Sequence, residues 1–218
     1  MRGMLRKDFY LMKEYRRIIV IVAIMSVTFC FTMEEGAAAF VIGYSTLLMA
    51  MAVTTVIAYD QENKGMAFLF TLPINRTGYV REKYLFGLLV GGFGLVYSIV
   101  LTAAVDFLQG RNPLRPDFLW LIPAFLGFLG LSLAVMIPIQ LKFGEQKGRV
   151  VLIVAVMVLM LLVTGGASFL IDSGILTEEI LSRLLASGLL PAVGAVVVLM
   201  AYGISYGISI HILNKKEF

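Results

Sequence analysis

The polar residues of this sequence do not form any of the common catalytic motifs. It contains no G-x-x-x-x-G-K-[ST] phosphate loop, no H-E-x-x-H zinc signature and no G-x-S-x-G nucleophile elbow. Cys30 is the single cysteine and His211 the single histidine, whereas a metal site needs several convergent ligands. The sequence therefore predicts no catalytic residue, no bound cofactor and no metal site.

The composition is too apolar for a protein whose whole surface faces water. Of 218 residues, 60% are hydrophobic and 15% are charged, whereas soluble domains carry roughly 25% charged residues. The net charge of +4 lies in short clusters between apolar segments, a pattern typical of membrane topology signals and headgroup contacts. We therefore predict a membrane protein with lipid as a partner, and no nucleic-acid partner.

Six apolar segments approach or reach the roughly 20 residues that a helix needs to cross a bilayer. They cover residues 18–33, 36–59, 84–105, 118–141, 150–171 and 189–213. None alternates as a barrel strand would, so we predict an all-α integral membrane protein with six transmembrane helices in one domain, 1–218. The basic N-terminal stretch, the apolar segment that follows it and the alanines at 37–39 together resemble a secretory signal with its cleavage site. Glu34 and Glu35 separate the apolar segment from those alanines, so 18–33 is interpreted as a true span.

The positive charges predict the orientation of these helices. Fifteen of the 18 lysines and arginines lie in the termini and connections on one side, and three lie on the other. Cytoplasmic connections carry the excess of Lys and Arg. We therefore expect both termini in the cytoplasm and a multi-pass location in a bacterial cytoplasmic membrane.

Two shorter segments have the pattern of interfacial helices. Residues 4–16 combine apolar positions at helical spacing with basic ones, which suits a helix at headgroup level or a plain topology anchor. On the opposite side, Thr177 and two glutamates favour a helix start. We predict a short outer helix over 178–187.

Small residues recur at four-residue spacing in two spans, which lets helices approach closely. Gly87 and Gly91 form such a pair in the third span, and Gly203 and Gly207 form one in the last. Ser205 and Ser209 belong to a parallel row there. The pattern is compatible both with packing inside one subunit and with a dimer interface.

The connection over residues 60–83 is longer and more apolar than a link between two spans requires. Charged residues come first, followed by Met66, Phe68 and Leu69, and a proline at position 73 ends the segment. Such side chains need a surface to bury them, which is the membrane, the rest of the subunit or a soluble partner.

This connection and its flanks resemble the permease subunits of ABC-2 type exporters, in the small six-span branch that includes phenol-soluble-modulin exporter permeases. The resembling residues are Leu5, Lys7, Asp8, the run 60–64, Leu72-Pro73-Ile74-Asn75-Arg76, Lys83-Tyr84 and the C-terminal segment 209–218.

The resemblance implies that the connection holds a coupling helix inserted into a separate ATPase subunit. The implied contact residues are Glu62, Lys64, Met66, Phe68, Leu69, Leu72, Pro73 and Arg76. It also implies that residues 1–17 form an elbow helix and that 178–187 match the family's outer helix. Two permease subunits, as a homo- or heterodimer, would work with ATPases that carry the ATP and Mg²⁺. The cargo implied by analogy is an amphipathic or hydrophobic peptide moved out of the cell.

Two other functions compete with export. A membrane immunity or sensor subunit would bind a toxic peptide without moving it. An intramembrane enzyme would need acids, histidines or lysines within its spans, and the nearest such residue, Asp106, lies at the outer end of the third span. The second alternative is therefore disfavoured.

Overall fold

The computed structural model describes residues 2–33, 36–62, 65–71, 74–112, 116–172 and 189–216, and these residues form helices with no strand among them. In chain order the helices are α1 (Arg2–Glu14), α2 (Arg16–Thr32), α3 (Ala37–Ala50), α4 (Ala52–Gln61), α5 (Gly65–Leu69), α6 (Arg76–Leu108), α7 (Pro116–Asp172) and α8 (Leu189–Lys215). The predicted all-α class is confirmed. The predicted outer helix 178–187 lies outside the described residues.

Four helical segments of the described chain are long and apolar enough to cross a membrane. They are Ala37–Gln61, Arg76–Leu108, Phe118–Gly144 and Ala192–Lys215, and a bent pair, Gly3–Lys13 with Arg16–Thr32, makes a fifth if it counts as one span. The chain is therefore a multi-pass membrane protein. The count of six is not confirmed: residues 150–171 are helical, within α7, but are not among these segments, and their status as a span stays a prediction.

Helix α7 is interrupted at Gly144. Its 57 residues would extend about 85 Å as a straight helix, well beyond a hydrocarbon core of about 30 Å. At Gly144 the backbone has φ 73° and ψ −166°, a combination that essentially only glycine adopts. The break lies in the connection that the sequence places between the fourth and fifth spans.

The two glycine pairs have different surroundings. A Cβ on Gly87 would come within 2.7 Å of Leu133 Cδ2, and one on Gly91 within 2.4 Å of Leu129 Cδ1. This pair therefore lies where α6 meets α7 of the same chain. A Cβ on Gly203 or Gly207 would meet no atom of the described residues within 4 Å.

The Gly144 conformation predicts a specific cost of substitution. Gly144→Ala should lower the free energy of unfolding by about 1–3 kcal/mol, because a Cβ strains this backbone region. The denaturation midpoint of the purified protein in detergent measures the loss. Gly92→Ala is the control, since it lies inside α6 with open space for a Cβ and alanine favours a helix. Equal midpoints for the two variants would contradict the assigned break.

Candidate functional site

A cluster of charged side chains is buried at the end of the bundle where α1, α4 and α6 meet. Asp8 from α1 and Lys83 from α6 are completely buried, and Asp60 from α4 and Glu82 from α6 are nearly so. Because burial of an unpaired charge is very costly, each of these groups needs an oppositely charged partner close by.

Lys83 is the centre of this cluster. Its ammonium pairs with Asp8 and lies 2.8 Å from Asp60 Oδ2 and 3.3 Å from Glu82 Oε2. The half-exposed Lys7 pairs with Asp60 from the other side and lies 3.4 Å from Asp8 Oδ1. The Tyr79 hydroxyl donates a hydrogen bond of 3.0 Å to Asp60 Oδ2. Two ammonium groups and three carboxylates therefore join three helices that are far apart in the sequence.

Helix α1 is held against the bundle by this cluster and by apolar contacts beside it. The predicted amphipathic segment forms the helix Arg2–Glu14, and Met4, one turn before Asp8, is buried with it. Phe9 packs edge-on against Phe86 of α6, with 5.4 Å between ring centroids. Tyr10 is largely exposed. One side of α1 therefore faces the bundle and another faces outward.

The described part of the predicted coupling loop contains the short helix α5. Met66 is buried, Leu69 is half-buried and Phe68 is 69% exposed. Glu62, at the end of α4, is exposed. The remaining predicted contact residues Lys64, Leu72 and Pro73 lie outside the described residues. Helix α5 thus packs inward through Met66 and presents Phe68 outward.

Helix α5 folds directly back on the end of α4. A Cβ on Gly65 would come within 2.8 Å of the Asp60 carbonyl oxygen, so the close approach requires glycine at this position. The Asp60 carboxylate takes part in the ion cluster at the same point. Helix α5 and the cluster are therefore in direct structural contact.

Arg76, another predicted contact residue, joins the far end of the loop to α8. Its Nη1 donates hydrogen bonds to the carbonyl oxygens of Leu213, at 2.7 Å, and Asn214, at 2.8 Å. A cation at the last carbonyls of a helix also interacts favourably with the helix dipole. Its guanidinium lies 5.7 Å from the centre of the Phe70 ring, and Phe70 packs edge-on against Tyr79.

A third connection joins the loop to α7. The Gln61 side-chain amide donates to the carbonyl oxygens of Gln140 at 3.3 Å and Leu141 at 3.4 Å. These carbonyls lie within one turn of the break at Gly144. The residues on either side of the loop, Asp60 and Gln61 at the end of α4 and Arg76 at the start of α6, thus have polar contacts to α1, α6, α7 and α8.

The small-residue row of α8 supplies a second polar contact inside the bundle. The Tyr84 hydroxyl lies 2.6 Å from Ser205 Oγ and 2.9 Å from Ser209 Oγ. The Tyr202 hydroxyl donates to the Tyr84 carbonyl oxygen at 3.2 Å. This contact fixes α6 against α8 directly beside Lys83.

Sequence reasoning did not identify the ion cluster as a site. It noted Lys7, Asp8, Asp60 and Lys83 only as residues that carry a family resemblance. Their position in the sequence could have indicated the cluster. Asp60 directly follows one predicted span and Lys83 directly precedes the next, and ionisable groups at span ends tend to pair. Within the described part of the chain, no group of His, Cys, Asp and Glu is arranged to hold a metal ion.

These features define a multi-pass helical membrane protein with a short, partly exposed helix between two spans. The family model described as ABC-2 family transporter protein matches residues 3–214. No curated protein and no solved structure matches the chain. The chain therefore belongs to the ABC-2 transporter family. It is a membrane-spanning permease subunit rather than a nucleotide-binding domain, and such subunits in general work with an ATPase.

The ion cluster predicts a large effect of removing its central charge. Lys83→Met should lower the free energy of unfolding by about 3–5 kcal/mol, because it removes the cation paired with Glu82 and leaves Asp8 and Asp60 with the half-exposed Lys7. Unfolding in mixed detergent micelles measures the difference from wild type. Arg81→Met is the matched control, since Arg81 is an exposed cation two residues away on α6. A Lys83 variant as stable as the Arg81 variant would show that the cluster does not hold α1 in place.

Proposed function

We propose that this chain is the permease subunit of an ATP-driven exporter and that its segment 60–76 is where a separate ATPase subunit docks. The observation that carries the proposal is the placement of Phe68. This ring is 69% exposed on a helix whose other side is buried, at the end of the bundle that the charge pattern predicts to be cytoplasmic. Exposed aromatic side chains with polar surroundings are typical anchors of protein interfaces.

The contacts of this segment supply a mechanical connection to the spans. Helix α5 lies against the end of α4, where Asp60 pairs with Lys83 of α6 and Lys7 of α1. A displacement of α5 by a closing ATPase would reach α1 and α6 through these ion pairs. It would reach α8 through Arg76. Packed helices switch between discrete arrangements rather than deforming continuously, so this push would change how the spans pack.

The proposed orientation places both termini in the cytoplasm, with α1 as an elbow helix at the inner membrane surface. Helices α1 and α2 form an angle of 64°, which is compatible with one helix along the surface and the other across the membrane. The exposed Tyr10 suits the interfacial level, where aromatic side chains are enriched. The excess of Lys and Arg on this side supports the same orientation.

The complete exporter would contain a second permease subunit, identical or different. Gly203 and Gly207 on α8 support this proposal, because no described residue occupies the space beside them and such pairs permit close helix contacts. ATP and Mg²⁺ would bind to the ATPase subunits. The proposed cargo, an amphipathic or hydrophobic peptide leaving between the permease subunits, rests on the family resemblance alone.

Co-purification with a candidate ATPase tests the docking segment. Phe68→Asp should reduce the amount of ATPase that co-purifies, and its ATP hydrolysis in lipid, by about 30-fold, as expected when a central aromatic anchor is lost. Phe107→Asp is the matched control. Phe107 is a similarly exposed phenylalanine on α6, at the end of that helix that lies far from α5. If Phe68→Asp assembled and hydrolysed ATP like wild type, the docking site would lie elsewhere.

Transport itself is tested with the assembled complex in vesicles. A fluorescent amphipathic peptide should accumulate inside inverted vesicles when ATP is supplied outside, and Phe68→Asp should abolish the accumulation. ATP hydrolysis without any movement of a panel of such peptides would contradict peptide export and favour a subunit that only binds them.

A further inference from the structure

A groove of about 660 Å³ lies between α7 and α8. Its lining includes Lys142, near the break in α7, and Lys215, at the end of α8. The Arg76 hydrogen bonds to the last carbonyls of α8 place this groove at the same end of the bundle as the coupling segment. The groove is distinct from the ion cluster and from the exposed surface of α5.

One part of the groove is cationic. Lys142, Lys215 and Lys216 line it together with the imidazole of His211, and among the described residues no acidic side chain contributes to its lining. None of the three lysines forms an ion pair with another described residue. Partial burial lowers the pKa of Lys216, because desolvation disfavours the ammonium form. An anion bound here would offset that cost.

The rest of the groove is apolar and continues along the membrane-spanning part of α8. Ile139 and Ile208 line it, and Ile208 is 48% exposed. One turn further along α8, Ile204 is 65% exposed. The two parts of the groove match the two parts of a phospholipid. The cations at the helix end suit an anionic headgroup, and the exposed apolar wall that leads towards the middle of the span suits an acyl chain.

We propose that this groove binds an anionic glycerophospholipid. Its phosphate lies among Lys142, Lys215 and Lys216, and its acyl chain lies along Ile208. Basic pockets between transmembrane helices on the cytoplasmic side are suited to anionic headgroups. A second copy of this chain fits the groove less well, because a symmetric contact would bring like charges together.

Lipid binding to the purified chain, followed by native mass spectrometry, tests the proposal directly. Dioleoyl phosphatidylglycerol should bind at least ten-fold more tightly than dioleoyl phosphatidylcholine. The triple variant Lys142→Gln, Lys215→Gln, Lys216→Gln should lose this preference, since each basic residue near an anionic surface contributes roughly five-fold. The control variant Arg81→Gln removes an exposed cation of α6 that lies outside the groove and outside the headgroup-level helix α1, and it should keep the preference for phosphatidylglycerol.

A second variant distinguishes binding of the lipid in the groove from a general attraction of anionic lipid to positive charge. Ile208→Trp fills the apolar wall without changing the charge, and it should also weaken phosphatidylglycerol binding. Excess inorganic phosphate should not displace the lipid, because phosphate lacks the acyl chain. The proposal is overturned if the triple variant binds phosphatidylglycerol like wild type or if Ile208→Trp has no effect. It is also overturned if the triple variant keeps the lipid but loses the ATPase, which would make the groove a protein contact.

Discussion

The ammonium group of Lys83 is buried at the end of a membrane helix and is surrounded by carboxylates from α1, α4 and α6. A charge in such a place is tolerated only while its partners stay close. This condition fixes the position of α1, together with the apolar contacts that Met4 and Phe9 make with the bundle. The same condition fixes the end of α4, and with it the start of the loop.

The loop therefore lies on a fixed support, although it connects two spans and the helix in its described part is five residues long. Asp60 anchors its beginning, Gln61 contacts α7, and Arg76 anchors its end to α8. A support of this kind is what a transmitting segment needs, because a loose loop would absorb a displacement instead of passing it on. Membership of the ABC-2 family and the contacts of the loop thus lead to the same proposal from independent directions.

The helical class and most span positions follow from hydropathy alone, because a bilayer requires long apolar helices. The contacts between particular helices could not be predicted from the sequence. Asp8 and Lys83 are 75 positions apart, and a periodic pattern indicates which face a residue occupies but not which helix covers that face. The two glycine pairs illustrate this: their spacing is identical, yet Gly87 and Gly91 lie against α7, whereas no described residue lies within 4 Å of a Cβ placed on Gly203 or Gly207. The break at Gly144 lies in the charged connection between the predicted fourth and fifth spans, so hydropathy predicts an interruption there but not the residue at which the helix breaks.

The contact between Arg76 and the end of α8 also imposes an order on biosynthesis. The guanidinium and its acceptor at Leu213 are separated by 137 positions, so the bond cannot form until the last helix has been synthesised and inserted. A nascent or truncated chain would display the loop without its second anchor. Correct bracing of the loop therefore reports that α8 is in place, and an ATPase that recognises the braced form would be recruited only to subunits whose α8 has been inserted.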